Sequence, residues 1–464
     1  MPIMVIRTPH IVAASCAALT ALAYGVLAYQ QWTTGWVPSW DLGIFSQLAK
    51  AYAHGEVPIV PIKGEGFNLL GDHFHPILVL LGLVWAVWPS GLALLMTQAV
   101  LFGVSAYPFA RYATERYGAG FGAVVGIGYG LSWGLQTAAT SQFHEIAFAV
   151  PMFAFGLVAF LEQRWLASVL WIGALVFVKE DMGLTVTVFG AVLWGRHLHS
   201  GKASVWPRNR EQRMALGLAA WGLGWLVLST AVILPALNPG QRYDYTDRLT
   251  GIGASLGHSE TYIALVMLVC AAGIIGLRSP LSWLMVPTLA WRLAGNVSYY
   301  WGWEWHYSAT LMPIAVAALL DQVRRWSSED GPSAAGARVR WLAACILIVS
   351  TIWLGGKQPI ARLGQEAFWD TWRAPGMAAA LRVVPSGATV LTDIGLMAYL
   401  VPERTVYWVG TPHPTPDYVV RNAQSIHWEQ SAITNLADWA SERFGQPYEI
   451  VHDAEHYVIA RRVS

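Results

Sequence analysis

The sequence predicts an α-helical polytopic membrane protein with about eleven transmembrane helices, outer interfacial helices and a small C-terminal α/β domain. Three observations carry this. Of 464 residues, 55% are apolar and only 12% charged, against about a quarter charged in soluble domains. Mean hydropathy is +0.42. Polar residues become frequent only after about residue 356. Lys plus Arg (29) nearly equals Asp plus Glu (28), so no basic field exists to hold nucleic acid. The apolar content excludes a disordered chain. Cys16, Cys270 and Cys345 lie in apolar runs and have neither the spacing of a zinc site nor that of a disulfide framework.

Residues 11–29 are apolar and long enough to cross a core of about 30 Å. A secretory signal has a shorter core, about 7–15 residues, before a small-residue cleavage site, so an uncleaved span is expected. Further spans are expected at 91–110, 119–139, 144–161, 165–178, 183–195, 214–236, 260–277, 281–295, 307–321 and 341–356. The run HPILVLLGLVWAVW at 75–88 is too short to cross untilted and reads as a helix in the outer interface. With that assignment the inner segments hold Arg7, Arg111, Arg116, Arg164, the basic stretch 196–213, Arg278, Arg324, Arg325, Arg338 and Arg340. Lys and Arg bias sets orientation. A cytoplasmic amino terminus and an outer carboxyl tail follow, with residues 1–356 as the membrane domain and 30–75 as its first outer loop. SSEDGPSAAGA at 327–337 reads as a flexible inner loop. From 357 to 464 an external α/β domain is expected, with strands at 388–393, 404–410 and 417–420 and an amphipathic helix at 432–444.

On this topology the unusual polar residues gather on one face. They are SWDLGIFSQLAKAYAHGE (39–56), GDHFHP (71–76), SQFHE (141–145), VKED (178–181), NPGQRYDYTDR (238–248) and GNVSYYWGWEWHY (295–307). Asp41 opens a stretch whose Leu42, Phe45, Leu48, Ala49 and Tyr52 fit a helix along the membrane surface. It is either a helix-starting aspartate or a general base or metal ligand at a cavity mouth. His73 and His75 stand two apart beside Asp72, so they share a side only on extended backbone. Asp41, His73 and His75 are the candidate ligands of a divalent metal ion; hydrogen bonding in the interface is the alternative. Glu145, after His144, either caps a span or faces Asp41 as a second acidic group. Lys179, Glu180 and Asp181 form either a solvated turn or a site where the lysine meets phosphate. Arg292 lies near a membrane boundary, where it contacts an anionic ligand or snorkels to headgroups. Trp303 sits in an aromatic belt that also suits sugar stacking, with Glu304 and His306 within reach of the same cavity. No P-loop, dinucleotide fingerprint or nucleophile elbow occurs in a usable context.

WDLGIFSQ, HFHP, QFHE, KED and WHYSATLMP, in this order, resemble a bacterial family of polytopic membrane proteins known by a domain-of-unknown-function number, two-zero-seven-nine, over about residues 35–320. That family is similar in layout to the GT-C glycosyltransferases. The resemblance implies sugar transfer from a polyprenyl-phosphate lipid donor to a cell-envelope glycan, lipid or protein acceptor, at the outer face of a bacterial cytoplasmic membrane. It also implies that Asp41 is the first-loop catalytic residue and Glu145 a second acidic one, although relatives have Asp in a different setting where this chain has SQFHE. Lys179 and Arg292 would then meet the donor phosphate. His73, His75, His144, Glu180, Asp181, Trp303, Glu304 and His306 would contact acceptor or sugar. A transporter or lipid flippase is the rival class, with a non-catalytic assembly protein third. Charges within spans would mark a transporter, and here the ionisable groups lie at the outer ends.

Overall fold

A computed structural model describes residues 2–36, 38–198, 209–248, 251, 253–329, 334–352, 357–371, 373–425, 428 and 433–463. Among these, four helices are long and apolar enough to cross a bilayer: Arg7–Thr33, Gly91–Tyr117, Arg210–Leu237 and Ala334–Ile352. Shorter apolar helices, including Ile146–Leu161, Trp165–Phe177, Met182–Arg196 and Ser259–Ala271, lie between them in the chain. Several of the eleven expected spans are interrupted among the described residues. Run 119–139 splits into Ala119–Gly130 and Trp133–Thr140. Its glycines weaken the helix but admit close neighbours: a side chain at Gly130 would meet Thr20 and one at Gly126 would meet Ala110 and Cys16. Run 281–295 opens as a 3-10 turn, Pro280–Met285, before the α-helix Val286–Ala294. Pro280 and Pro287 withhold two backbone donors there.

The first helix belongs to the core. Its Tyr24 is buried, and the hydroxyl donates to the Gly130 carbonyl at 2.8 Å. Segment 75–88 forms a 3-10 turn, Pro76–Val79, and a short helix, Leu80–Val87, with Val79, Leu83 and Val87 exposed and Leu78, Leu81 and Trp85 buried. The helix Asp41–Ala53 is covered by other parts of the chain, since Leu42 to Ala49 are all buried. Small residues allow this. At Gly43 an added Cβ would lie 2.8 Å from Met397 Cβ, so the carboxyl-terminal part of the chain packs directly on this helix.

That part is built on a five-stranded sheet: β1 (Thr389–Thr392), β2 (Thr405–Trp408), β3 (Tyr418–Asn422), β4 (Tyr448–Ala454) and β5 (Tyr457–Arg462), in the order β2-β1-β3-β5-β4. β1 is parallel to β2 and β3, and β5 is antiparallel to β3 and β4. Strand alternation divides the side chains. Val390, Val406, Val420 and Ile459 join the large helical core, whereas Leu391, Tyr407, Val419 and Ala460 pack with Leu436, Ala437 and Ala440 of the helix Leu436–Phe444. The β4–β5 hairpin escaped the sequence pattern because its turn residues Glu455 and His456 both take positive φ (49° and 71°), positions where Asn and Gly usually announce such a turn.

Side chains of the Asp41 helix fasten the sheet. Gln47 donates to the Val406 carbonyl (2.8 Å) and accepts from the Ile62 amide (3.0 Å). Lys50 donates to the Val401 carbonyl at 2.9 Å. Trp40 meets Trp408 edge to face (4.7 Å), and Trp32 stacks on Tyr399 (4.0 Å). Residues 330–333 of the expected inner loop, 353–356 of the last expected span, position 432 of the expected helix, and Lys202 and Arg208 of the basic stretch lie outside the described residues.

Candidate active site

A cavity of about 720 Å³ opens beside the first turn of the Asp41 helix. Nine of the singled-out residues line it together: Asp41, His73, His75, His144, Glu145, Lys179, Glu180, Asp181 and His306. The backbone explains part of this convergence. Trp40 caps the Asp41 helix without a side-chain bond, leaving the Asp41 carboxylate free to accept from the Ser39 hydroxyl. Gln142 at φ 71° occupies the left-handed region uncommon for a side-chain-bearing residue, in the turn that carries His144 and Glu145 into the wall.

Most charges here are matched. His144 Nε2 stands 3.3 Å from Asp41 Oδ2, and its ring stacks on that of His306 at 3.6 Å. Lys179 Nζ donates to Glu145 Oε1 at 2.7 Å. Glu180 is fully engaged: His73 Nδ1 lies 2.7 Å from Oε1, the Tyr243 hydroxyl donates to the same oxygen at 3.1 Å, and the Phe74 amide donates to Oε2 at 3.0 Å. Lys63 pairs with Asp72 at 3.1 Å, and the Tyr245 hydroxyl donates to Asp72 at 3.2 Å.

The protonation states follow from these contacts. Burial alone would raise Asp41, but the charge and hydrogen bond of His144 and the Ser39 hydroxyl outweigh it and hold the carboxyl below its usual range. Burial likewise works against Glu180, yet the neighbouring His73 brings it down to about 2. Asp181 goes the other way: burial pushes it up to about 6, against the pull of Lys179. Burial drops His75 to about 4 despite Glu145 nearby, so its ring is neutral at pH 7.

Three expected residues are not brought into the lining. Arg292 is 3% exposed and turned into the protein, where Nε donates to the Tyr300 carbonyl (2.8 Å) and the two terminal nitrogens to Ser308 Oγ (2.9 Å) and the Gly302 carbonyl (2.7 Å). Its guanidinium braces the loop 300–308 and neither snorkels nor faces the cavity. Trp303 donates its indole N–H to Glu260 at 2.7 Å, and Glu304 is exposed away from the lining. The metal reading is also corrected. Among the described residues no group of three His, Cys, Asp or Glu side chains is placed to hold an ion. Asp41 lies beside His144 and His73 beside Glu180.

The lining adds residues that the sequence reading passed over, notably Lys63, Tyr243, Tyr245 and Arg248. Arg248 donates to the Tyr300 hydroxyl at 3.1 Å and lies over the Tyr245 ring at 4.5 Å. Among the described residues it has no carboxylate partner within ion-pair distance. Its signal was present in NPGQRYDYTDR, where tyrosines two apart precede an arginine, but nothing local said which residues faced inward. Leu184, Leu226, Pro287, Ala290 and Ala294 line the cavity with apolar surface. They belong to helices Met182–Leu198, Arg210–Leu228 and Val286–Ala294. One chamber therefore offers an ionised carboxylate beside an imidazole, a guanidinium with no carboxylate partner among the described residues, and an apolar flank.

The fold is similar to that of ArnT from Cupriavidus metallidurans. The crystal structure of ArnT from Cupriavidus metallidurans bound to undecaprenyl phosphate superposes with a TM-score of 0.55 over 97% of both chains, at 12% identity. The apo structure of the same protein gives 0.52 over 96% of both, also at 12%. No curated protein matches the sequence. The family described as "Predicted membrane protein (DUF2079)" matches residues 37–459, and the chain belongs to it.

Proposed function

We propose that this protein is a membrane glycosyltransferase that moves a sugar from a polyprenyl-phosphate donor to a hydroxyl of a cell-envelope acceptor at the extracytoplasmic face. The observation that carries this reading is the company of Asp41: one cavity holds its ionised carboxylate, the Arg248 guanidinium and an apolar wall. ArnT, which shares the fold, binds undecaprenyl phosphate in its crystal structure, and this favours the same class of lipid here.

In the proposed reaction the acceptor oxygen attacks the anomeric carbon as the bond from that carbon to the phosphate oxygen breaks. The acceptor proton passes to Asp41, whose low basicity suffices because the hydroxyl acidifies as the new bond forms. His144 orients the carboxylate. The electron pair of the broken bond stays on the phosphate, where Arg248 stabilises the growing charge. A single displacement inverts the anomeric centre. The lipid tail lies along the apolar flank. Lys179, bound to Glu145, shapes the wall without receiving the phosphate directly.

The test is incubation of the purified full chain in lipid nanodiscs with undecaprenyl phosphate carrying radiolabelled sugars. Transfer to an added envelope fraction, or slow hydrolysis, is expected. Asp41→Asn should lose about 10²–10⁴-fold in rate while still binding undecaprenyl phosphate. Full activity in that variant, or no binding of the lipid by the natural protein, overturns the reading.

A further inference from the structure

One imidazole of the cavity wall is aimed by a buried carboxylate. His73 Nδ1 lies 2.7 Å from Glu180 Oε1, and Glu180 is itself held by the Tyr243 hydroxyl and the Phe74 amide. A carboxylate only accepts, so Nδ1 carries the hydrogen of this bond, and the partner thereby sets the orientation of the ring. The ring also stacks on Tyr245 at 4.4 Å. Its other nitrogen, Nε2, has no partner among the described residues. This atom is not shut away: the side chain is 19% exposed and lines the cavity, whereas the unpartnered Nδ1 atoms of His75 and His306 are sealed inside the protein.

What Nε2 can meet follows from its surroundings. The Glu180 side chain is only 2% exposed, and a buried charge needs an opposite one. Lys179 is committed to Glu145, so the His73 ring supplies the charge that offsets Glu180. Nε2 then carries a hydrogen as well and calls for an acceptor. Arg248 lies over the same Tyr245 ring at 4.5 Å, so guanidinium and imidazole border one stretch of the cavity. A phosphate is the acceptor that both can serve. Placed at Nε2, it would stand across the ring from Glu180, and two anions flanking an imidazole both favour its charged form. The resulting bond is charge-assisted.

We propose that His73 is a ligand of the donor phosphate, donating from Nε2 to a phosphate oxygen beside Arg248, and not a contact for acceptor or sugar. The inference rests on the lipid-phosphate transfer reading above and deepens it. During transfer the electron pair of the breaking bond goes from the anomeric carbon to the phosphate oxygen. The proton stays on Nε2, and its hydrogen bond strengthens as charge grows on that oxygen. Glu180 touches no substrate and acts through the ring as a positioning residue.

The test compares binding of undecaprenyl phosphate with that of undecaprenol, which has the tail without the phosphate, to the full chain in nanodiscs. The ratio of the two affinities isolates what the phosphate contributes. In His73→Asn the side-chain amide falls near the Nδ1 position and keeps a donor for Glu180, while nothing replaces Nε2; the ratio should fall about tenfold or more, the worth of one hydrogen bond to a charged group. In Glu180→Gln the ring stays but loses its charged partner, and the ratio should fall several-fold; this variant decides the matter if His73→Asn does not fold. A purely structural role for His73 would weaken both lipids together, and a contact with acceptor or sugar would weaken neither. An unchanged ratio in the deciding variant therefore overturns the assignment and leaves the transfer reading standing. A natural protein that binds undecaprenyl phosphate no better than undecaprenol overturns the transfer reading, and this inference with it.

Discussion

Lys179→Met tests whether the cavity wall is held by internal ion pairing. Lys179 and Glu145 meet at 2.7 Å, with side chains only 15% and 3% exposed. Removing the ammonium leaves a buried carboxylate uncompensated, which costs about 3–5 kcal/mol when one partner of a buried pair is lost. At about 1.4 kcal/mol per decade this lowers the folding equilibrium constant by roughly two to three and a half powers of ten. Replacing both residues, Lys179→Met with Glu145→Gln, removes the unpaired charge, and the double variant should recover most of the loss. The assay is reversible denaturant unfolding in detergent micelles, read by far-ultraviolet circular dichroism across the four proteins of the cycle. A double variant destabilised by the sum of the two single changes would refute the reasoning, since independent sites add and coupled ones do not.

Arg248→Ala should weaken undecaprenyl phosphate binding about tenfold in a direct titration, in line with one lost charged contact. Arg292→Ala should instead lower stability by roughly 3–5 kcal/mol, because the Tyr300 and Gly302 carbonyls and the Ser308 hydroxyl lose their donor; selective loss of lipid affinity with unchanged stability would restore the anion role. Stability against pH should show two opposed limbs in melting experiments. Glu180, depressed from 4.5 to about 2, contributes stability that is complete above pH 4.5 and is lost as pH falls towards 2; Glu180→Gln should flatten that limb. Asp181, raised from 3.8 to about 6, contributes stability intact below pH 3.8 and lost as pH rises through 6, so Asp181→Asn should gain on the natural protein at neutral pH. Gly43→Ala places a methyl 2.8 Å from Met397 and 3.1 Å from Ile62 and should cost about 1–3 kcal/mol by overpacking, visible as easier proteolysis of the sheet.

What was legible in the sequence was chemistry that clusters locally. WDLG marked a helix beginning at Asp41, and HFHP, QFHE and KED each contributed residues to one chamber. Three strands and the helix after them stood out by alternation and spacing. Pairing across distance was not legible. His73 and Glu180 are 107 positions apart, and Tyr245 and Asp72 are 173 apart; no local pattern states that they touch. Arg292 carried the same boundary signal whether it faced lipid, ligand or protein, and only the carbonyls of a loop eight to ten positions later decided it. Long apolar runs looked like unbroken spans because hydropathy does not register where glycine, proline and a neighbouring helix interrupt the backbone ladder.

The clasp between Gln47 and Val406 joins positions 359 apart, and this has a consequence for biogenesis. A ribosome adding about 5–20 residues per second emits the second residue roughly 20–70 s after the first. For that interval the helix beginning at Asp41 exists without the surface that covers Gly43, Gln47 and Lys50. Nascent chains halted before residue 400 should therefore leave this helix accessible to protease or to cysteine-labelling reagents, and protection should arrive only once the strands of the sheet have emerged. Any stop codon that removes those strands would disable the chamber from a distance, without touching a residue that lines it before position 394.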